Sequence, residues 1–324
     1  MSHGLGALAP TLAAVAVVAG AADVPDATAP GWRIAGHLTN TAIREASGLA
    51  PSRRCADRLW IVNDSGNPAR LWAVDSRGRD IASLDIEGAA NEDWEDLASV
   101  VLDGRPWLAI ADCGDNLGIR DGIFVHFVEE PETERVAPLA VRPALSLSIR
   151  FEDGARDCEA AAVDPTERTV LLLSKRDPRP ALYLVRLPPA PTWTSAVHSA
   201  VAHRAAVFAS WPPPQGGSNR GVLGNIGNQP TAMDLSPDGR RLLILTYEDA
   251  WIVERRAGED WAIAAARPML RAEMPDPAEG VLRRREAACW SADGACFFVT
   301  GEGNEPPLLR AVPPPPTLRS PTDR

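Results

Sequence analysis

A β-propeller of five four-stranded blades is the fold this sequence predicts, and three observations predict it. A short frame recurs five times, each copy leads into an apolar strand that halts at polar residues, and one strand is left over at the start. The frames begin at Glu45, Glu95, Glu159, Thr231 and Glu286. Two of them run into the turns Pro237-Asp238-Gly239 and Ala292-Asp293-Gly294, which suit tight reversals.

The second strands follow in order: Leu59–Val62, Trp107–Ile110, Val170–Leu173, Leu242–Leu245 and Cys296–Val299. Third strands are read at Leu71–Val74, Ile123–His126, Leu182–Val185, Trp251–Val253 and Leu308–Ala311. Fourth strands are expected before the next frame, as at Ile81–Ile86 and Trp261–Ala266. Short apolar strands separated by Gly, Pro and Asp turns argue an all-β chain. The last frame supplies only three strands, so the unassigned strand Trp32–Leu38 is expected to complete it from the N-terminal side.

This organisation gives a propeller over residues 30–313. Residues 1–22 read as an export signal: the stretch from Leu5 to Ala22 carries no charge, and Ala19 and Ala21 fit an A-x-A cleavage pattern. The alternative is an uncleaved anchor, which needs about 20 apolar residues and finds this run marginal. No later stretch is apolar enough to span a bilayer, so a periplasmic or secreted, monomeric protein is expected. Residues 314–324 follow a proline run and are expected to be disordered. The interval Ser210–Gln229, rich in Pro, Gly and Asn, reads as a long loop, with a hidden sixth blade as the alternative.

The chain has 324 residues, a net charge of −10 and 45% hydrophobic residues. That composition supports a large core and excludes a nucleic-acid protein, which needs a basic face. Lys175 is the single lysine. Of the five cysteines, Cys289 and Cys296 flank one turn and either pair across it or stay as buried thiols, the expectation for Cys55, Cys113 and Cys158.

Strand direction gathers the polar residues. In a four-stranded meander the innermost strand starts at the end where the second strand stops. Glu45, Glu95, Glu159, Thr231 and Glu286 therefore share a face with Asp64, Asp112, Asp115, Asn116, Arg120, Lys175, Arg176, Tyr247 and Glu302. Four carboxylates about 6 Å apart repel by roughly 3 kcal/mol per pair at an effective dielectric near 20. Either some are protonated or a cation sits among them. Oxygen-only ligands favour Ca2+, with Glu45, Glu95, Glu159, Thr231 and Glu286 as its ligands. The competing reading has the glutamates cap inner strands by accepting backbone amides of the neighbouring blade. Asp234 falls out of this register and is expected to pair locally.

Arg44–Leu49, Asn63–Gly66, Asn91–Ala98, Gly114–Asn116 and Thr231–Gly239 resemble exported bacterial propeller proteins related to the SdiA-regulated and NHL-type groups. The resemblance covers nearly all of the mature chain and implies a secreted propeller. A weaker likeness is to calcium-activated nucleotidases of the apyrase type, five-bladed propellers that hold calcium in the tunnel through one Glu or Ser per blade. The ring here is similar in kind, although the surrounding sequence differs.

Two functions follow as expectations. One is a binder that presents this face to a small anionic ligand or a protein partner, with Asp112, Asn116, Arg120, Lys175, Arg176, Tyr247 and Glu302 as contacts. The other is a calcium-dependent hydrolase of phosphate esters or other anionic substrates. There Lys175, Arg176 and Arg120 hold the anion, and Asp64 or Asp115 serves as general base. No Gly-x-Ser-x-Gly, His-Glu-x-x-His or Cys-x-x-Cys motif is present, which favours binding. Trp94 and Trp211 are the tryptophans expected to contact a ligand; the rest read as core.

Overall fold

The computed structural model describes residues 1, 31–132, 139–189, 192–213, 220–221, 224–275, 282 and 284–314. The export segment read within residues 1–22, from residue 2 onward, and the tail from residue 315 onward lie outside the described residues. Regular structure is almost entirely β. The chain opens with β1 (Trp32–His37), and then a meander of β2 (Ala46–Pro51), β3 (Arg58–Asn63), β4 (Arg70–Asp75) and β5 (Asp80–Ile86). A second run follows: β6 (Trp94–Leu102), β7 (Arg105–Asp112), β8 (Ile123–Glu129), β9 (Leu139–Val141) and β10 (Leu145–Phe151). The third is β11 (Cys158–Asp164), β12 (Thr169–Ser174), β13 (Ala181–Arg186) and β14 (Ala196–Val207). After the small ladder of β15 (Arg220–Gly221) and β16 (Gly224–Asn225) come β17 (Pro230–Leu235), β18 (Arg241–Thr246), β19 (Ala250–Glu254), α1 (Trp261–Ala265) and β20 (Leu270–Ala272). The last strands are β21 (Arg285–Trp290), β22 (Phe297–Gly301) and β23 (Pro307–Ala311).

The sheet orders are β2-β3-β4-β5-β9, β17-β18-β19-β20 and β1-β23-β22-β21, with a single eight-stranded sheet β11-β12-β13-β14-β10-β8-β7-β6. The N-terminal strand does join the last three, running antiparallel to β23 from Trp32 opposite Ala311 to His37 opposite Pro307. Two edge pairings lie outside the simple meander. β9 crosses to pair in parallel with β5, and β10 pairs in parallel with β14, fusing two meanders through their outer edges. Both cover hydrogen-bonding edges that would otherwise be open to other chains.

The inner strands converge. β2 packs against β6 and β21, β6 against β11, β11 against β17, and β17 against β21. Their sequences are rich in small residues, Gly48, Ala160, Ala161, Ala162, Ala287 and Ala288 among them. A Cβ at Gly48 would lie 2.6 Å from the carbonyl carbon of Asp96, closer than real side chains come. Larger residues pack around these strands, such as Trp107 against Trp193 (4.9 Å between ring centres) and, across the β21–β22 pair, Trp290 against Phe297 (5.8 Å).

One strand expectation changes, and two points left open are decided among the described residues. Trp261–Ala266 contains a helix turn, not a strand. Asp260 caps it by accepting from the amide of Ala262 at 2.8 Å, and the outermost strand is the later β20. Alanine is the best helix former, and the turn buries Trp261, Ala264 and Ala265 on one side. Cys289 and Cys296 are both free buried thiols, because Cys289 pairs in register with Phe298 and leaves Cys296 outside the ladder; Cys113 and Cys158 are buried as expected, whereas Cys55, in the turn after β2, is exposed. Between β14 and β17 the described residues form only the two-residue ladder of β15 and β16, not a further four-stranded unit.

Candidate functional site: a carboxylate mouth with a built-in ammonium

Each inner strand carries one register shift at the same place. The shifts fall between Ala46 and Gly48, Trp94 and Asp96, Cys158 and Ala160, Pro230 and Ala232, and Arg285 and Ala287. The extra residues are Ser47, Glu95, Glu159, Thr231 and Glu286. A bulge of this kind re-aims one side chain out of the ladder. The first member of the ring is thus Ser47 and not Glu45, a shift of two from the sequence alignment. The Glu-Ala pair at Glu45 imitates the one at Glu286, but hydrogen bonding sets the register: Ser52, Ser236 and Ser291 make equivalent turns. The two hydroxyl members are used alike. Ser47 Oγ donates to Trp94 O at 2.7 Å and Thr231 Oγ1 donates to Arg285 O at 2.8 Å, each at the residue before a ring glutamate.

Glu45 remains on this end of the molecule. It is exposed, bridges to Glu302, and its carboxylate accepts from Asn67 Nδ2 at 2.7 Å. Its carbonyl accepts from the Asp64 amide at 2.8 Å, which sets the Asp64 loop beside it.

Two sub-clusters divide the mouth. In the first, ligand oxygens of Asp64, Asp93 and Glu95 all lie within 4.8 Å of one another. Asn91 clamps the two loops that bring them together. Its Nδ2 donates to Asn63 O (3.0 Å) and Asp64 O (2.9 Å), while its Oδ1 accepts from the Trp94 amide (3.0 Å). Asp93 is further held by its amide donating to Asp112 and its carbonyl accepting from Gly114. A Cβ at Gly114 would strike both Asp93 Oδ2 and Glu95 Oε1, so glycine here leaves the carboxylates their room. Glu95 is 6% exposed, and no hydrogen bond from the described residues reaches its carboxylate.

Burial raises all three carboxyls. Glu95 lies well above the usual range through burial and then the charge of Glu159, and Asp93 reaches about 6 through burial and then Asp64. Asp64 is raised by burial, with Glu302 and Glu45 adding to it. Asp93 was absent from the sequence-derived candidates because it precedes the strand; the Asn91–Ala98 motif is the signal that contains it.

The second sub-cluster holds the lysine. Lys175 Nζ is ion-paired with Glu159, donates to Tyr247 Oη at 3.1 Å, and is 6% exposed. Burial takes Glu159 to about 7 even beside this ammonium. Glu286, raised to about 8 by burial and by Glu302 and Glu159, borders the same group. Glu302 also pairs with Arg284 at 2.7 Å.

The remaining candidates support these loops. Asp112 receives the Asp93 amide and pairs with Arg120 at 2.9 Å. Arg120 also donates to Gly114 O and to Glu92. Asp115 accepts the amides of Ile119 and Arg120, both at 2.9 Å, and so closes its own turn. Arg176 pairs with Asp157 at 2.5 Å and donates to Asn116. Arg120, Lys175 and Arg176 are therefore each engaged by carboxylates of the fold. Trp94 is fully buried, its Nε1 donating to Ala90 O, and Trp211 donates to Asn228 O while packing on Phe208. Beside the first sub-cluster, a cleft of about 590 Å³ is lined by Asp93 and Gly114, with Leu117 and Ile119 exposed on its wall.

No family model and no curated protein matches the chain, so the resemblance to exported propellers rests on its motifs. Among solved structures the chain is similar to a luciferin-regenerating enzyme, with 8% identity and a TM-score of 0.42 over 85% of this chain and 94% of that one. It is also similar to the Kuenenia stuttgartiensis hydrazine synthase, with 12% identity and a TM-score of 0.39 over 82% and 83%. Likenesses this distant carry no functional argument, and the site has to be read from its own geometry.

Proposed function

We propose that the chain is an exported five-bladed propeller that binds one Ca2+ at its carboxylate mouth and presents that face to a ligand or protein partner. The cyclic packing of β2, β6, β11, β17 and β21, each with one bulge at the same level, supports five blades. The observation that carries the cation is the convergence of Asp64, Asp93 and Glu95, of which Glu95 is buried without a donor. A buried carboxylate without a donor is costly unless protonated or ligated. Three carboxylates supply three to six oxygens, and calcium takes six to eight with water or a ligand completing the set. The ligand set proposed here keeps Glu95 from the expected ring and puts Asp64 and Asp93 in place of Glu45, Glu159, Thr231 and Glu286.

Binding is favoured over hydrolysis by the state of the basic residues. Arg120, Lys175 and Arg176 are all committed to internal carboxylates, which leaves no free cation among them to hold a phosphate. Asp115, one of the two general-base candidates, is consumed by its own turn. The cleft beside Asp93 gives a ligand access to the ion's open positions.

The test is the thermal midpoint of the mature chain with calcium, with magnesium and after chelation, alongside Glu95→Gln. Calcium is expected to raise the midpoint by several degrees in the wild type and not in the variant. Indifference of the wild type to both calcium and chelator would remove the ion from this reading.

A further inference from the structure

The mouth is not evenly acidic. On one side Asp64, Asp93 and Glu95 face one another, with the buried Glu95 lacking any donor among the described residues. On the other, the Lys175 ammonium lies against Glu159 and Tyr247, close enough for its charge to act on Glu95 and Glu286 as well. The ammonium is held between Glu159 and Tyr247, with Nζ 5.3 Å from the centre of the Tyr247 ring.

We propose that the mouth has two cation seats, that Lys175 permanently fills the one formed by Glu159, Glu286 and Tyr247, and that this tethered ammonium limits the protein to a single divalent ion at Asp64–Asp93–Glu95. This rests on the cation reading above and adds what sets its stoichiometry.

Residue choice supports it independently. Lys175 is the one lysine among 33 lysine and arginine residues, so this chain uses arginine wherever a positive charge is needed except here. An ammonium is a compact point charge with three donors, close to the demand of a small ion site, whereas a guanidinium is a planar fork suited to flat, two-pronged pairing. Arginine fills that forked role nearby, where Arg176 meets Asp157 and Asn116. Placement agrees too: Lys175 is the first residue after β12, and its amide donates to Asp157 O at 3.0 Å, so the side chain enters from the rim and not from the core.

The seats are also distinct in what an ion would meet. Glu286 and Glu302 share a hydrogen bond, and Glu159 is already neutralised, so with lysine present a second ion finds little net charge. Without it, Glu159 and Glu286 become a second pair of hard oxygen ligands beside the Tyr247 hydroxyl. Two divalent ions in neighbouring seats would repel, which a single charge on a tether avoids.

The experiment is an ion count. Full-length mature protein, its Lys175→Met variant and the Lys175→Met/Glu159→Gln double variant are dialysed against excess calcium, and calcium per chain is measured. One ion in the wild type, two in Lys175→Met and one again in the double variant is the expected result. A folded Lys175→Met that still holds one ion overturns the second seat while leaving the first intact. No ion in the wild type but one in Lys175→Met retains the Lys175 seat and overturns the Asp64–Asp93–Glu95 site. No ion in any of them overturns both. Should Lys175→Met unfold in chelator, restoration of its cooperative melt by calcium supports the proposal. Failure to restore it, with the double variant folded, overturns it.

Discussion

The carboxylate of Asp96 accepts a hydrogen bond from the amide of Met233, 137 residues later, at 2.9 Å, and a second from the amide of Ala161 at 2.8 Å. One fully buried side chain thus ties β6 to β11 and β17. Asp234 repeats the device, accepting from Leu235 and, across to β21, from Trp290 at 2.8 Å. The amide-capping role expected of the ring glutamates belongs to these two aspartates, and Asp234 reaches beyond its own strand.

Asp96 accepts from three amides and Asp234 from two, so removing the first should cost more. A buried amide left without its acceptor costs about 1–3 kcal/mol. Asp96→Ala is expected to lose about 3–5 kcal/mol of stability, near the top of the single-substitution range. Asp234→Ala should lose roughly two thirds of that, in proportion to its share of amides. Urea denaturation with a shared m-value checks the order; equal losses would refute it.

Metal-free stability should fall as pH rises. Burial lifts Asp234 from 3.8 to about 7, against the opposing charge of Arg53, and lifts Glu286 from 4.5 to about 8, where Glu302 and Glu159 add and Lys175 opposes. A group that holds its proton more tightly when folded favours folding only while that proton is bound. Below about 4 both states are protonated, between about 4 and 8 the unfolded chain ionises first, and above 8 the loss is complete. In chelator, the denaturation midpoint is expected to decline across that window. Asp234→Asn should flatten the lower part of it, up to about 7. A midpoint that climbs over the same range would contradict the sign.

Much of this fold was legible as strands and their order, because apolar runs of four between turn residues have few alternatives. The closure by β1 was legible by counting, since one frame lacked a fourth strand. Trp261–Ala266 was not, because Trp-Ala-Ile-Ala alternates as a strand does while its alanines and the Asp260 cap favour a helix. At the site, the ring glutamates Glu95, Glu159 and Glu286 were visible by repetition. The first position was misaligned because a bulge, not residue chemistry, decides which side chain turns inward. Asp93 and the cross-sheet role of Asp96 depend on neighbours distant in sequence, which one-dimensional patterns do not reveal.

Trp261 should prove an anchor and not a spare aromatic. It is 2% exposed, its Nε1 donates to buried Asp164 at 3.2 Å, and Arg255, itself paired with Asp164 at 2.8 Å, lies over its ring. Trp261→Phe keeps most of the packing and is expected to cost about 1 kcal/mol, the worth of the lost hydrogen bond. Trp261→Ala also opens a cavity and is expected to cost about 3–5 kcal/mol. Similar costs for the two, by urea melts, would mean that the hydrogen bond and not the packing holds the helix.

Gly114 offers the sharpest separation of site from scaffold. Its backbone needs no left-handed conformation, so alanine is acceptable to the main chain. The obstacle is only the space that Asp93 Oδ2 and Glu95 Oε1 occupy. An added methyl must push those oxygens apart, at a cost of about 1–3 kcal/mol as in other overpacked sites. Displaced carboxylates no longer converge within reach of one ion, so Gly114→Ala is expected to keep a cooperative melt in chelator while losing most of the calcium-induced rise in midpoint. Gly118, in the same loop but with only a distant carbonyl near its Cβ position, is the control. Its positive φ of 64° makes Gly118→Ala mildly destabilising, yet the calcium response should persist. If both variants respond to calcium like the wild type, the ion does not sit between Asp93 and Glu95.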